Sequence, residues 1–124
     1  MLKYKFKEKN VDIDQKHFDI VKEGMFLVVN GKGTATHIRS EDFEICGKTG
    51  TAQNPHGEDH ALFVGFAPYE NQQIAFAIVV ENVGFGGTHA APIAKKIVEV
   101  YINKLKRNKS KLDESITKVE NQEF

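Results

Sequence analysis

Apolar positions recur along the chain with two different periods, and the switches between them set the expected order of elements. Phe18, Val21, Met25 and Val28 repeat at helical spacing, which predicts a helix over residues 14–29. Asp12 or Asp14 can cap its start, and Asn30-Gly31, extended by Gly33, ends it. Gly24 inside that helix costs about 1 kcal/mol against alanine, which implies a close packing contact there. A polar connector over 33–41 carries His37 and Arg39. Three strands are then expected over 43–52, 62–67 and 74–81. The second and third are apolar on both faces, so the sheet must be covered on two sides. Short connections make the three strands antiparallel neighbours. Gly84-Phe85-Gly86-Gly87 reads as a mobile hinge before a last helix over 90–106, with Pro92 in its first turn. Ile93, Ile97, Tyr101 and Leu105 form that helix's apolar stripe, widened by Ala94 and Val98, while Lys95, Lys96 and Lys104 lie elsewhere. Residues 1–12 alternate loosely (Leu2, Tyr4, Phe6 against lysines) and read as an extended lead-in. From residue 107 to 124 the chain is polar and charged, and a frayed tail is expected. The fold class is α+β: a three-stranded antiparallel sheet with an N-terminal and a C-terminal helix.

The length of 124 residues fits one domain or a piece of one. Seventeen basic and seventeen acidic side chains cancel, so nothing in the charge balance favours nucleic acid or an anionic membrane. The longest apolar run, 74–80, is far too short to span a bilayer, and the basic opening has no apolar stretch behind it that would make a signal peptide. The lone Cys46 excludes an internal disulfide and reads as a small buried hydrophobe.

Candidate chemistry concentrates in Cys46-Gly47-Lys48-Thr49-Gly50-Thr51-Ala52-Gln53. Strand alternation puts Thr49 and Thr51 on one face and Lys48 on the other. Gly50 between the threonines lets another backbone or a ligand come close. Two hydroxyls, open backbone N–H groups and a nearby ammonium suit a carboxylate or a developing oxyanion. The competing reading is a Thr-rich edge strand with Lys48 as a solvated gatekeeper. A phosphate loop is excluded, because Asp42 stands where that motif requires glycine. The loop 53–60 contains His56, Glu58, Asp59 and His60, but Gly57 follows His56 where a zinc-protease helix needs an acid. Metal is therefore not expected, and hydrogen bonding that orders this loop over the cleft is. No cofactor is expected; the glycine loop 84–87 has the wrong spacing for a dinucleotide site.

Five blocks in order carry a family resemblance: residues 47–53, 59–68, 74–81, Gly86-Gly87 and Ala90-Ala91-Pro92-Ile93-Ala94. Together with the helix containing Gly24-Met25 and the segment Gly33-Thr34-Ala35, they resemble the C-terminal part of the transpeptidase domain of class B penicillin-binding proteins over residues 13–106. The resemblance implies the fold shared with β-lactamases, a sheet sandwiched by helices, with residues 48–51 on the strand that walls the active-site cleft. It implies electrostatic and proton-transfer work for Lys48, and a grip on the terminal carboxylate of a D-Ala-D-Ala stem peptide or a β-lactam for Thr49, Gly50 and Thr51. The backbone N–H of Thr51 would be half of the oxyanion hole. It also implies a parent protein anchored in the inner membrane with this domain in the periplasm.

The chain departs from that family in its nucleophile. The family's Ser-x-x-Lys and Ser-x-Asn both lie upstream of Lys-Thr-Gly. Neither Ser40 nor Ser110 has lysine three places on. Ser115-Ile116-Thr117-Lys118 fits the letters but follows the sheet instead of preceding it, and no Ser-x-Asn occurs. The expectation is a substrate-binding wall without its serine, inactive alone. The alternative is a binding module for stem peptides or a partner, without chemistry. An exposed apolar sheet edge and face are expected to drive a homodimer or an exchange of elements.

Overall fold

The structure, a computed structural model, describes residues 7–121. Helix α1 (Gln15–Asn30) precedes a short 3-10 turn (Thr36–Ile38). Strands β1 (Cys46–Ala52), β2 (His60–Ala67) and β3 (Ile74–Val80) follow, then the long helix α2 (Gly86–Glu120). The sheet order is β1-β2-β3, with both pairs antiparallel, as the short connections require. Residues 7–14 carry no regular secondary structure, and the alternation over residues 1–6 lies outside the described residues.

The two faces of the sheet are treated differently. Ala61, Phe63 and Ala67 of β2 point to one face and are fully buried beneath α2. Ile74, Phe76, Ile78 and Val80 of β3 share that face, half-buried against the same core. Phe63 sits at the centre, stacked against Phe76 with ring centroids 5.8 Å apart. On the opposite face α1 packs against β1, and its Phe26 ring meets Tyr69 beyond β2 at 4.9 Å. That face is only partly covered: Val64 is 42% and Val79 60% exposed. Apolar residues on both sides of β2 and β3 thus demand a two-sided cover, which on the α2 side is full over β2 and partial over β3.

Several expectations are corrected. In α2 the buried line is Ala90, Ala91, Ala94, Val98 and Ile102, whereas Ile93 and Ile97 are largely exposed. Small residues let the helix axis lie close to the sheet, and that close approach decides which stripe faces inward. In α1 Phe18 and Val21 are exposed, and only Val29 is fully buried. Asp14 occupies the N-cap position, but its side chain makes no capping bond. β1 begins at Cys46, not residue 43, because Asn30 Nδ2 donates to the Ile45 carbonyl (2.9 Å) and Phe43 turns into the core. Helix α2 starts at Gly86, four residues early, which moves Pro92 from the first turn to the seventh position, where it removes the bond to the Thr88 carbonyl. Helix α2 also continues through residues 107–120, where a frayed tail was expected, with residues 106–119 all exposed.

Gly24 has nothing within 4 Å of where a Cβ would stand, so no contact requires it. Gly24→Ala is therefore expected to stabilise the chain by about 0.5–1 kcal/mol, read as a higher urea midpoint with an unchanged slope.

Candidate functional site

The site is built where the start of α2 meets β1. A Cβ on Gly86 would stand 2.3 Å from both the Gly50 and Leu62 carbonyl oxygens, so only glycine lets the helix terminus lie on the sheet. A Cβ on Gly87 would stand 3.0 Å from the Thr34 carbonyl. These glycines are close-packing positions, which corrects their reading as a hinge. The turn itself is made by Gly84, whose φ of +93° lies in the left-handed region. Phe85 then accepts the N–H groups of Thr88 and His89 on its carbonyl (both 3.1 Å) to start the helix.

The connector between α1 and β1 supplies the opposite wall. Ala35 N–H donates to the Val28 carbonyl (3.1 Å), folding the chain back over α1 and presenting Thr34. Arg39 donates to the carbonyls of Asn30 and Gly31, and Lys95 of α2 donates to the Arg39 carbonyl (3.2 Å). Buried Ala35 and Ile38 seat this segment.

Between these walls lies a half-open pocket of about 470 Å³. Thr49 and Thr51 of β1 line it together with Thr34, His37, Gly87 and Thr88. The Thr34 and Thr49 hydroxyls are hydrogen-bonded at 2.9 Å. First-turn backbone N–H groups of a helix have no intrahelical acceptors, and the positive end of the helix dipole lies there. Hydroxyl donors facing a helix N-terminus make a setting suited to an anion. Of the sequence-selected residues, Thr49 and Thr51 are brought together here; Gly50 is not among the lining residues, and its backbone lies against Gly86.

Lys48 is not in this pocket. It projects from the other face of β1, where it lines an apolar cavity of about 430 Å³ with Val21, Met25, Val28 and Val64, and its Nζ donates to the Thr49 carbonyl (2.7 Å). The pocket residues that sequence reasoning missed are Thr34, His37 and Thr88. Thr34 and His37 sit in a polar connector whose placement depends on the Ala35–Val28 contact, and no local signal marks it.

The loop 53–60 is ordered by a bond within it and by bonds to Asn82, which follows β3. Asn54 N–H donates to Asp59 Oδ1 (3.1 Å), Asn54 Nδ2 donates to Asn82 Oδ1 (2.6 Å), and Asn82 N–H donates to His60 Nδ1 (3.1 Å). None of its residues is among those lining the pocket. No group of three metal-ligating side chains occurs among the described residues. Cys46 is fully buried at the start of β1, and that burial, with Glu44 nearby, pushes its thiol up to about 12. Ser115 lies on the exposed part of α2, roughly 40 Å along the helix from Gly86, its Oγ donating to the Leu112 carbonyl (2.7 Å). No helix of the described residues is long and apolar enough to cross a membrane.

A short antiparallel sheet with a helix on each side, and a threonine-lined strand facing a helix terminus, is the C-terminal part of the β-lactamase-like transpeptidase fold. Residues 3–99 match the family described as "Penicillin binding protein transpeptidase domain", and the chain belongs to that family. It is 34% identical to the peptidoglycan D,D-transpeptidase MrdA of Haemophilus influenzae, across 69% of this chain and 16% of the relative. Against the enzyme of the same name from Escherichia coli K12 it is 35% identical, across 60% of this chain and 14% of the relative. The structure also superposes on that of Pseudomonas aeruginosa PBP2 in complex with WCK 5153, with a TM-score of 0.65 and 44% identity over 71% of this chain and 19% of that one. Penicillin-binding protein A of Mycobacterium tuberculosis, as its imipenem acyl-enzyme, matches with a TM-score of 0.61 and 29% identity over 73% of this chain and 20% of that one. The chain thus spans about a sixth of the length of the curated relatives it matches.

Proposed function

We propose that the chain is the substrate-binding portion of a peptidoglycan D,D-transpeptidase of the PBP2 kind, carrying the Lys-Thr-Gly strand without the serine nucleophile. The observation that carries this reading is the shared pocket of Thr49 and Thr51 against the α2 terminus. In this reading the two hydroxyls hold the terminal carboxylate of a D-Ala-D-Ala stem peptide or of a β-lactam. The Thr51 N–H is half of an oxyanion hole, a donor whose loss costs enzymes on the order of 10²–10³ in rate. Lys48, on the other side of the strand, acts electrostatically and in proton transfer once the remainder of a transpeptidase domain is present. The parent protein is anchored in the inner membrane with this portion in the periplasm. The open edge of β3 and the half-covered face beside it take a strand or helix from elsewhere, in a homodimer or by exchange of elements.

Acyl transfer needs a serine held against its base, and Ser115 stands on a solvent-facing helix far from the pocket. The expected result with a fluorescent penicillin is no covalent labelling of the purified chain. A labelled serine, located by peptide mass spectrometry, would overturn the proposal. The second reading, a stem-peptide module without chemistry, is favoured by Thr34, Thr49, Thr51 and Thr88 all lining one pocket of this chain. It predicts reversible shifts of the Thr49 and Thr51 amides on titration with D-Ala-D-Ala, where a dependent fragment shows none.

A further inference from the structure

The chain is neutral as a whole, but its charges are unevenly placed. Residues 95–111 of α2 hold seven basic side chains against one acid, Glu99, which leaves ten basic and sixteen acidic side chains elsewhere. Net charge over the full length therefore hides a strongly cationic segment. The same helix carries uncovered hydrophobes: Ile93 is 41%, Ile97 43% and Val100 67% exposed. At 3.6 residues per turn, those three fall with Lys104, Arg107 and Lys111 on one strip about 80° wide. The strip lies away from Ala91, Ala94, Val98 and Ile102, the residues of α2 buried against the sheet. It is the outer surface of that layer, and all six of its side chains are exposed. No ion pair holds Lys104, Arg107 or Lys111 among the described residues. Glu99 lies on the flank of the strip, and Glu114 follows about one turn beyond its end.

We propose that this strip docks α2 flat on the surface of an anionic phospholipid bilayer. A bilayer presents phosphate charge and acyl carbon in adjoining layers, and the strip presents the complement of both. Ile93, Ile97 and Val100 enter the boundary between headgroups and acyl chains. Lys104, Arg107 and Lys111, about one to three turns further on, meet the phosphates while their stems lie along the interface. From Ile93 to Lys111 the strip is about 27 Å long, so both sets of side chains touch one plane. A duplex nucleic acid would match the cations and leave the three hydrophobes in water. The mixture of apolar and basic positions on one helix face selects the bilayer.

The full chain is expected to co-sediment with vesicles of mixed phosphatidylglycerol and phosphatidylcholine, and not with phosphatidylcholine alone. Lys104→Gln and Lys111→Gln should each weaken that binding about fivefold. The chain contains no tryptophan, so Val100→Trp places a single indole at an exposed point on the strip. Its emission is expected to shift to the blue on mixing with the anionic vesicles, and brominated acyl chains should quench it. The indole of Val79→Trp, on the sheet face turned away from α2, should stay unquenched. Failure of the unaltered chain to bind the anionic vesicles would overturn the proposal, as would equal binding to both kinds of vesicle. So would a bound chain whose Val100→Trp indole is not quenched, or tighter binding to duplex DNA than to the anionic vesicles.

Discussion

Phe63→Ala is expected to cost about 3–5 kcal/mol, read as the loss of most of the folded population in urea. Phe63 is fully buried at the centre of β2, pairs in register with Thr49 on one side and Ile78 on the other, and stacks on Phe76. Half of the other residues in the core cluster are alanines, at 35, 61, 67, 90, 91 and 94. Alanines have no side chain with which to fill a hole, so little of the cavity cost is recovered. Domains of this size hold only about 5–15 kcal/mol in total. A destabilisation below 1 kcal/mol would mean that α2 does not lie on β2 as described.

Gly86→Ala is the second large effect and the one that ties stability to the pocket. Its Cβ would overlap two backbone oxygens, those of Gly50 and Leu62, and neither can rotate away. The start of α2 must lift from the sheet, at a cost on the order of 1–3 kcal/mol by analogy with overpacked cores. The displacement should appear in nuclear magnetic resonance as shifts of the Gly50, Leu62 and Thr49 amides. Gly24→Ala should leave those amides unmoved. Equal response of the pocket to both alanines would show that Gly86 is not the contact that sets it.

The strands were legible because β2 and β3 are short, continuously apolar runs, and because Pro68-Tyr69-Glu70-Asn71-Gln72 leaves room only for a tight reversal. Thr49 and Thr51 could be paired on one face from the two-residue period alone. The errors lie where a residue type carries two physical meanings. Glycine marks both freedom and closeness, and Gly86 serves the second. Alanine scores weakly as a hydrophobe, so Ala90 and Ala91 fall outside the stripe centred on Ile93 and Ile97, and Ala94 only widens it, although closeness to the sheet favours the smaller side chains. Residues 107–120 look polar when counted, and counting predicts a frayed end where helix α2 continues. Thr34 and His37 reach the pocket through the tertiary fold, which no local pattern records.

Strand β1 is a partition one backbone thick, with Thr49 and Thr51 on one side and Lys48 on the other. The Lys48 ammonium nonetheless grips the Thr49 carbonyl, so the two compartments share a single rigid wall. Anything that seats among Val21, Met25 and Val64 and tilts that wall also re-aims both hydroxyls. The cleft can be adjusted from behind without being entered.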